Sequence, residues 1–271
     1  MPDKPLLILG GTGRLGRLLA KAGLGPAIWQ GRHAAQGVDC VFDPLDEPGA
    51  LESAARRASA ILCLAGSVRG TVEDLSLHAA LALAAVRAGQ TAAIPVLLAS
   101  SAAVYGGRAG PCEESHPPSP AGAYGHAKAA MERAALTAAN GHPVTALRIG
   151  NVVGADALLG GGGNGAITLD ILPDGRAPRR SWIGPRALAR VIGELLRAPS
   201  LPEVLNVALP GVVGMDTLLD AAGIAWRGVP APGSVIAEVR LDVTRLGRLL
   251  DLGRFGPVAA DLVEDWRSIP A

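Results

Sequence analysis

Short, nearly continuous apolar runs alternate with stretches of helical period over the first two-thirds of the chain. The runs PLLIL (5–9), PAIWQ (26–30), VDCVF (38–42), AILCLA (60–65), PVLLAS (95–100) and PVTALRI (143–149) read as strands. Their lack of polar alternation suits parallel strands covered on both faces. Helical patterns fill the gaps at about 13–22, 48–58, 72–88 and 122–139. This β-α-β-α order predicts an α/β fold with a doubly wound parallel sheet. After Gly154 the texture changes: GADALLGGGGNGAITLDILPDGRAPRR is Gly-rich and loop-like, with one short strand expected. In RALARVIGELLR, Leu188, Val191, Ile192, Leu195 and Leu196 then form one apolar stripe, the mark of a helix lying on a core. A strand in EVLNVAL, a helix near 215–223, a strand at 235–242 and two short helices complete the expected order.

Composition narrows the class. The 271 residues can bury a full core, and 49% are apolar against 18% charged, so the chain folds compactly. A net charge of +1 with no basic run gives no electrostatic case for nucleic acid. Cys40, Cys63 and Cys112 are widely spaced without a C-x-x-C, and read as reduced thiols of a cytoplasmic protein. His33, His78, His116, His126 and His142 show no metal-ligand spacing. The N-terminal MPDKPLLILGG lacks the features of a signal peptide, and no apolar stretch is long enough to span a bilayer. The expectation is a soluble protein with a small-molecule substrate, without membrane or metal.

Directly after the first strand, LLILGGTGRLGRLL spaces Gly10, Gly13 and Gly16 three apart and opens a helix. Glycines permit a tight turn and close backbone approach, and a helix N-terminus presents free N–H groups to a pyrophosphate. Gly10, Thr12, Gly13, Arg14, Leu15 and Gly16 are therefore candidate dinucleotide contacts in a Rossmann-type sheet. Residues 1–153 read as the NAD(P)-binding domain, and 154–271 as a reduced substrate lobe interleaved with the main sheet. The second strand ends WQGRH, with no carboxylate before Asp39 to take a ribose 2′-hydroxyl. Arg32, helped by Arg14, could instead pair a 2′-phosphate, which favours NADP over NAD. The alternative is that both arginines are solvated surface charges.

AYGHAK places Tyr124 one helical turn before Lys128, so the two share a helix face. An ammonium beside a phenol favours the phenolate, which would turn a poor proton donor into an acid/base. Together GGTGRLG, FDPLD, LAG (Leu64 to Gly66), SSAAVYG, SPAGAYGHAKAAMER and ALRIGNVVG resemble the extended short-chain dehydrogenase/reductase family, also called NAD-dependent epimerase/dehydratases. The resemblance spans nearly the whole chain. It implies that Tyr124 is the catalytic acid/base, that Lys128 lowers its pKa and holds the nicotinamide ribose, and that Ser101 rather than Ser100 polarises the substrate oxygen. It also implies that Asp43 lies near the adenine, that Leu64, Ala65 and Gly66 pass the cofactor, and that Tyr105 is a structural or pocket residue.

The chain departs from that pattern in four places. Ala102 and Ala103 follow Ser101 where sugar-nucleotide dehydratases carry Asp-Glu, which argues against 4,6-dehydration. The family's relay asparagine is missing from residues 68–90, leaving Asp74, Ser76 or His78 as substitutes, His78 reading more readily as core or interface. Asn151 sits where the family contacts a substrate phosphate and Arg180 matches the family's arginine in that segment, with Arg179, Arg180 or Arg186 as phosphate anchors or else a solvated face, while Ala187 replaces the usual downstream aspartate. The segment between Gly154 and Arg180 is short, leaving less room for a full nucleotide sugar. Its Gly160–Gly165 run reads as a mobile connector or as a lid. The alanine-rich helices 72–88 and 122–139 resemble the family's dimer helices. The resemblance thus implies an NAD(P)-dependent oxidoreductase acting on a ketone or secondary alcohol of a small, sugar-like molecule. A sugar or nucleotide-sugar epimerase would use the same Ser-Tyr-Lys set, and a non-catalytic redox sensor would not need it.

Overall fold

The computed structural model describes residues 4–160, 167–252 and 258–270. In chain order the first elements are β1 (Leu6–Leu9), α1 (Arg14–Lys21), β2 (Ala27–Gly31), β3 (Cys40–Val41), α2 (Pro48–Arg56), β4 (Ala60–Cys63) and α3 (Val72–Ala92). Then come β5 (Val96–Ser101), a 3₁₀ turn (Ala102–Tyr105), β6 (Pro111–Cys112), α4 (Ala123–Ala139), β7 (Val144–Ile149) and β8 (Asn151–Val152). Next are β9 (Ile167–Ile171), β10 (Arg179–Arg180), β11 (Trp182–Ile183), α5 (Pro185–Leu195), β12 (Val204–Val207), β13 (Val213–Gly214) and α6 (Met215–Ala221). The chain closes with β14 (Trp226–Pro230), β15 (Glu238–Leu241), α7 (Thr244–Leu249) and α8 (Ala259–Arg267).

Seven strands form one parallel sheet in the order β12-β7-β5-β4-β1-β2-β3. The apolar runs explain it, because β1, β4 and β7 are buried at every residue and tolerate helices on both faces. Alternate side chains divide the core. Leu6, Ile8 and Leu62 pack with Leu19 of α1 and Leu188, Val191 and Ile192 of α5. Leu7, Leu9 and Ile61 pack with Leu51 of α2, Val86 of α3 and Met131 of α4. Each such side chain contributes about 1.5–3 kcal/mol by leaving water. β12 comes from beyond residue 153 yet forms an edge of this sheet. The other C-terminal strands build a four-stranded sheet, β13-β10-β15-β6, and two two-stranded pairs, β11-β8 and β14-β9.

β1 pairs with β2 on one side and β4 on the other, so the strand order reverses between β1 and β4. A crevice outside the carboxyl ends of the strands opens at such a switch point. α3 runs four residues beyond the expected 88 before Ala93 leaves helical geometry in a left-handed conformation, φ +52°, two residues ahead of Pro95.

Candidate active site

The loop after β1 is shaped for close approach. Gly10 has φ +82°, and a Cβ there would lie 2.7 Å from the Ala65 Cα of the loop after β4. A Cβ on Gly16 would run into the Gly11 carbonyl. The loop is pinned from below, with the Gly10 N–H donating to Gln30 Oε1 (3.0 Å) and the Gly11 N–H to the Gln30 carbonyl (2.9 Å). Gly13 caps α1 without any side-chain acceptor, which leaves first-turn N–H groups facing the crevice for an anion. This cradle, with Ala65 and Gly66 beside it, fits a dinucleotide pyrophosphate.

The other expected cofactor contacts divide. Leu15 is half-buried against the core, and Arg32 is exposed with no partner among the described residues. Asp43 accepts the Leu45 N–H at 2.8 Å, so one carboxylate oxygen holds the turn into α2. Asp39 is engaged with the Trp29 N–H at 2.8 Å. Arg14 reaches across the crevice to the carbonyls of Ala155 (3.2 Å) and Asp156 (3.0 Å), tying the phosphate loop to the substrate lobe rather than standing beside Arg32. Thr12 contributes its carbonyl to a hydrogen bond from Arg17.

Ser101 ends β5 and Tyr124 lies in the first turn of α4. Ser101 Oγ accepts the Ala103 N–H at 3.2 Å. Both residues line a cavity of about 350 Å³ together with Asn151, Arg180, Ile236 and Val239. Lys128 is buried one turn below. Its Nζ donates to the Ala99 carbonyl at 2.6 Å and lies 5.7 Å from the Tyr124 ring centroid. Burial lowers the Lys128 pKa from 10.5 to about 8, against smaller opposing effects of Cys63 and Glu132. The expectation that Lys128 lowers the phenol's pKa is not met. Burial pushes Tyr124 above its usual 10, and Ser101 only partly opposes this. The ammonium is turned to a backbone carbonyl, and phenolate is disfavoured in a dry site.

Beneath this set lies a buried polar network that the sequence reading did not identify. Glu132, one turn past Lys128, accepts hydrogen bonds from the Ser100 hydroxyl and the Arg148 guanidinium (Nη2, 2.8 Å). Arg148 donates to Tyr105 Oη at 2.8 Å, and Tyr105 donates to Asn206 Oδ1 at 2.8 Å. Asn206 Nδ2 donates to the carbonyls of Cys112 (2.8 Å) and Asp242 (2.9 Å), joining β12 to the C-terminal lobe. Ser100 is thereby a scaffold hydroxyl, and Tyr105 is wholly buried within the network and, of the structural and pocket places open to it, takes the structural one. The signal for this network was a Glu and an Arg inside runs that otherwise read as core, AAMER and TALRI.

The substrate-side residues also separate. Arg180 faces the cavity with its guanidinium on the carbonyls of Arg179 (2.7 Å) and Ile236 (2.9 Å), and burial lowers its pKa. Arg179 pairs with Glu238 at 3.2 Å. Arg186 lies away from the cavity, donating to Ser268 Oγ at 3.2 Å. The half-buried carboxylate of Asp156 accepts the Leu158 and Leu159 N–H groups (both 3.2 Å), and burial raises its pKa. The aspartate missing at Ala187 has a counterpart, because Asp265 of α8 accepts the N–H groups of Arg186 (2.8 Å) and Ala187 (2.9 Å) and caps α5. Of the Gly160–Gly165 run, Gly161 to Gly165 lie outside the described residues.

Sheet order and a glycine cradle at the switch point define an α/β fold of Rossmann type. The model of the NAD dependent epimerase/dehydratase family matches residues 6–208, and the chain belongs to that family of enzymes. UDP-N-acetylglucosamine 4-epimerase from Bacillus cereus is 18% identical, with 99% of this chain and 100% of that one covered at a TM-score of 0.77. UDP-glucose 4-epimerase from Thermus thermophilus, in complex with NAD, is 20% identical over 98% and 100% of the two chains, TM-score 0.75. A short-chain dehydrogenase/reductase superfamily protein from Agrobacterium tumefaciens with bound NAD is 18% identical over 97% of each chain, TM-score 0.76. Among curated protein sequences none matches this chain. Among the described residues no helix is long and apolar enough to cross a membrane.

Proposed function

We propose that this protein is an NAD(P)-dependent epimerase of a small sugar-like substrate. The carrying observation is that Ser101 and Tyr124 line one cavity of about 350 Å³, in a chain whose β1 loop forms the glycine cradle. That volume suits a sugar-sized molecule. A nucleotide portion, which the epimerases of similar fold carry on their substrates, would extend beyond it. The division at residues 153 and 154, with the lobe supplying Arg180, is part of this reading.

Gly10, Thr12, Gly13, Leu15 and Gly16 would hold the pyrophosphate, Asp43 the adenine side, Leu64, Ala65 and Gly66 the far wall, and Lys128 the nicotinamide ribose. The bound dinucleotide supplies hydride acceptance and return. Tyr124 takes the proton of the substrate hydroxyl as it becomes a ketone and gives it back on reduction. Ser101 donates to the same oxygen, and Arg180 and Asn151 anchor the polar end of the molecule. The raised Tyr124 pKa keeps the phenol protonated in the free protein. For proton removal, the positive charge of an oxidised nicotinamide would offset the cost of phenolate. The half-buried alanines Ala80, Ala127, Ala130 and Ala134 on α3 and α4 would let a second copy approach closely as a homodimer.

A second reading, net oxidation or reduction with NADP, is favoured by one observation: exposed Arg32 follows β2 and no free carboxylate does. Incubation with sugars and nucleotide sugars separates the two. An epimerase forms a stereoisomer by NMR without accumulating absorbance at 340 nm, whereas an oxidoreductase changes that absorbance in step with product. In either case Tyr124→Phe should lower turnover about 10²–10⁴-fold with dinucleotide binding retained. Turnover within a few-fold of wild type would remove Tyr124 from the chemistry.

A further inference from the structure

Three polar side chains on the first turns of α3 could serve the site, and the structure distinguishes them. Asp74 is engaged in a capping box, its Oδ2 accepting the Thr71 N–H at 2.9 Å while its own N–H donates to Thr71 Oγ1 at 3.2 Å. Ser76 is exposed and donates to the Glu73 carbonyl at 2.7 Å. His78 alone turns inward and is 2% exposed.

The imidazole occupies a junction. Its Nε2 lies 2.7 Å from the Ser67 carbonyl, which only accepts, so Nε2 carries the proton. Its Nδ1–Cε1 edge fills the space that a Cβ on Gly66 would need, so ring and loop have complementary shapes. It meets the Tyr124 ring in a T-shaped contact, centroids 5.8 Å apart and planes at 71°. Nδ1 is buried with no hydrogen-bond partner. Burial and the Lys128 charge hold the ring neutral, its pKa lowered to about 4. One side chain therefore touches both the loop after β4 and the acid/base.

We propose that His78 is a positioning residue that sets the loop Leu64–Ser67 against Tyr124, so that the dinucleotide wall and the phenol keep one relative placement. It rests on the dinucleotide site and the Tyr124 role assigned above. A packing-only histidine would be replaceable by any ring. A positioning histidine needs its Nε2–H on Ser67, because that bond fixes the loop rather than merely filling space.

The test compares wild type, His78→Phe and His78→Gln. Phenylalanine keeps the ring and removes the donor, and glutamine restores a donor near the Nε2 position. Calorimetric titration with NADH and NADPH gives affinity. Absorbance at 295 nm, with Tyr124→Phe as the subtraction, gives the Tyr124 ionisation. His78→Phe should weaken the preferred dinucleotide about tenfold, equivalent to about 1.4 kcal/mol, and move the Tyr124 midpoint, with His78→Gln recovering most of both. A folded His78→Phe protein with wild-type affinity and midpoint would overturn the proposal. Should His78→Phe not fold, a His78→Gln protein that differs from wild type while His78→Asn, too short to reach Ser67, does not differ further would overturn it equally. Wild-type protein that binds neither dinucleotide would instead remove the underlying site.

Discussion

Burial acts on Tyr124 and Lys128 in opposite directions, raising the phenol and lowering the ammonium, because in each case it penalises the charged form. For Lys128 the folded value of about 8 lies below the ordinary 10.5, so between these values the unfolded chain holds more protons. Stability should therefore rise with pH across that window, the cost being fully present below pH 8. Lys128→Met should raise Tm at pH 7 by roughly 2–4 °C, a net gain of about 1 kcal/mol once the lost bond to Ala99 is counted. It should also weaken dinucleotide binding, and a fall in Tm in a calorimetric scan would contradict this reading. His78 has the same sign at lower pH: with a folded value near 4 against 6.5, stability should fall on acidification through that range. The loss is on the order of 3 kcal/mol, and it should be absent in His78→Phe. At this scale the sequence revealed residue types and not their environments. Tyr124, Lys128 and Ser101 were legible from spacing and resemblance, whereas the turn of Lys128 toward Ala99 depends on β5 lying beneath α4.

Elements differ in how far their causes are local. The six expected strands of the first 150 residues and the four helices between them emerged because continuous apolar runs and helical stripes are properties of contiguous sequence. Two-residue strands such as β6, β8, β10 and β11 were not legible, since pairing defines them and their partners lie far away in the chain. The start of α5 shows the same limit. Its cap is Asp265, nearly 80 positions downstream. Asp265→Ala should cost about 1–2 kcal/mol, seen as a lower urea midpoint with unchanged slope. Glu132→Ala should cost more, about 3–5 kcal/mol, because it leaves the Arg148 guanidinium buried and unpaired. A loss under 1 kcal/mol would show that the guanidinium finds water or another partner.

In the whole molecule, Arg14 ties the loop after β1 to the carbonyls of Ala155 and Asp156, and Asn206 ties β12 to Cys112 and Asp242. A ligand that binds only the folded state at a hundred times its Kd adds about 2.7 kcal/mol. NADPH or NADH should accordingly raise Tm by several degrees. Arg32→Ala should weaken NADPH about tenfold and leave NADH unchanged if a 2′-phosphate is read there; equal loss for both would make Arg32 an incidental charge.

The most direct measurement uses the scarcity of tyrosine. Only Tyr105 and Tyr124 absorb as phenolates, and burial pushes Tyr105 to about 12. The 295 nm titration of wild type minus Tyr124→Phe, with and without oxidised dinucleotide, isolates the Tyr124 phenol. The midpoint should lie above 10 in the free protein and fall when the cationic nicotinamide binds. Binding without any movement of that midpoint would place the nicotinamide away from Tyr124 and contradict the assigned site.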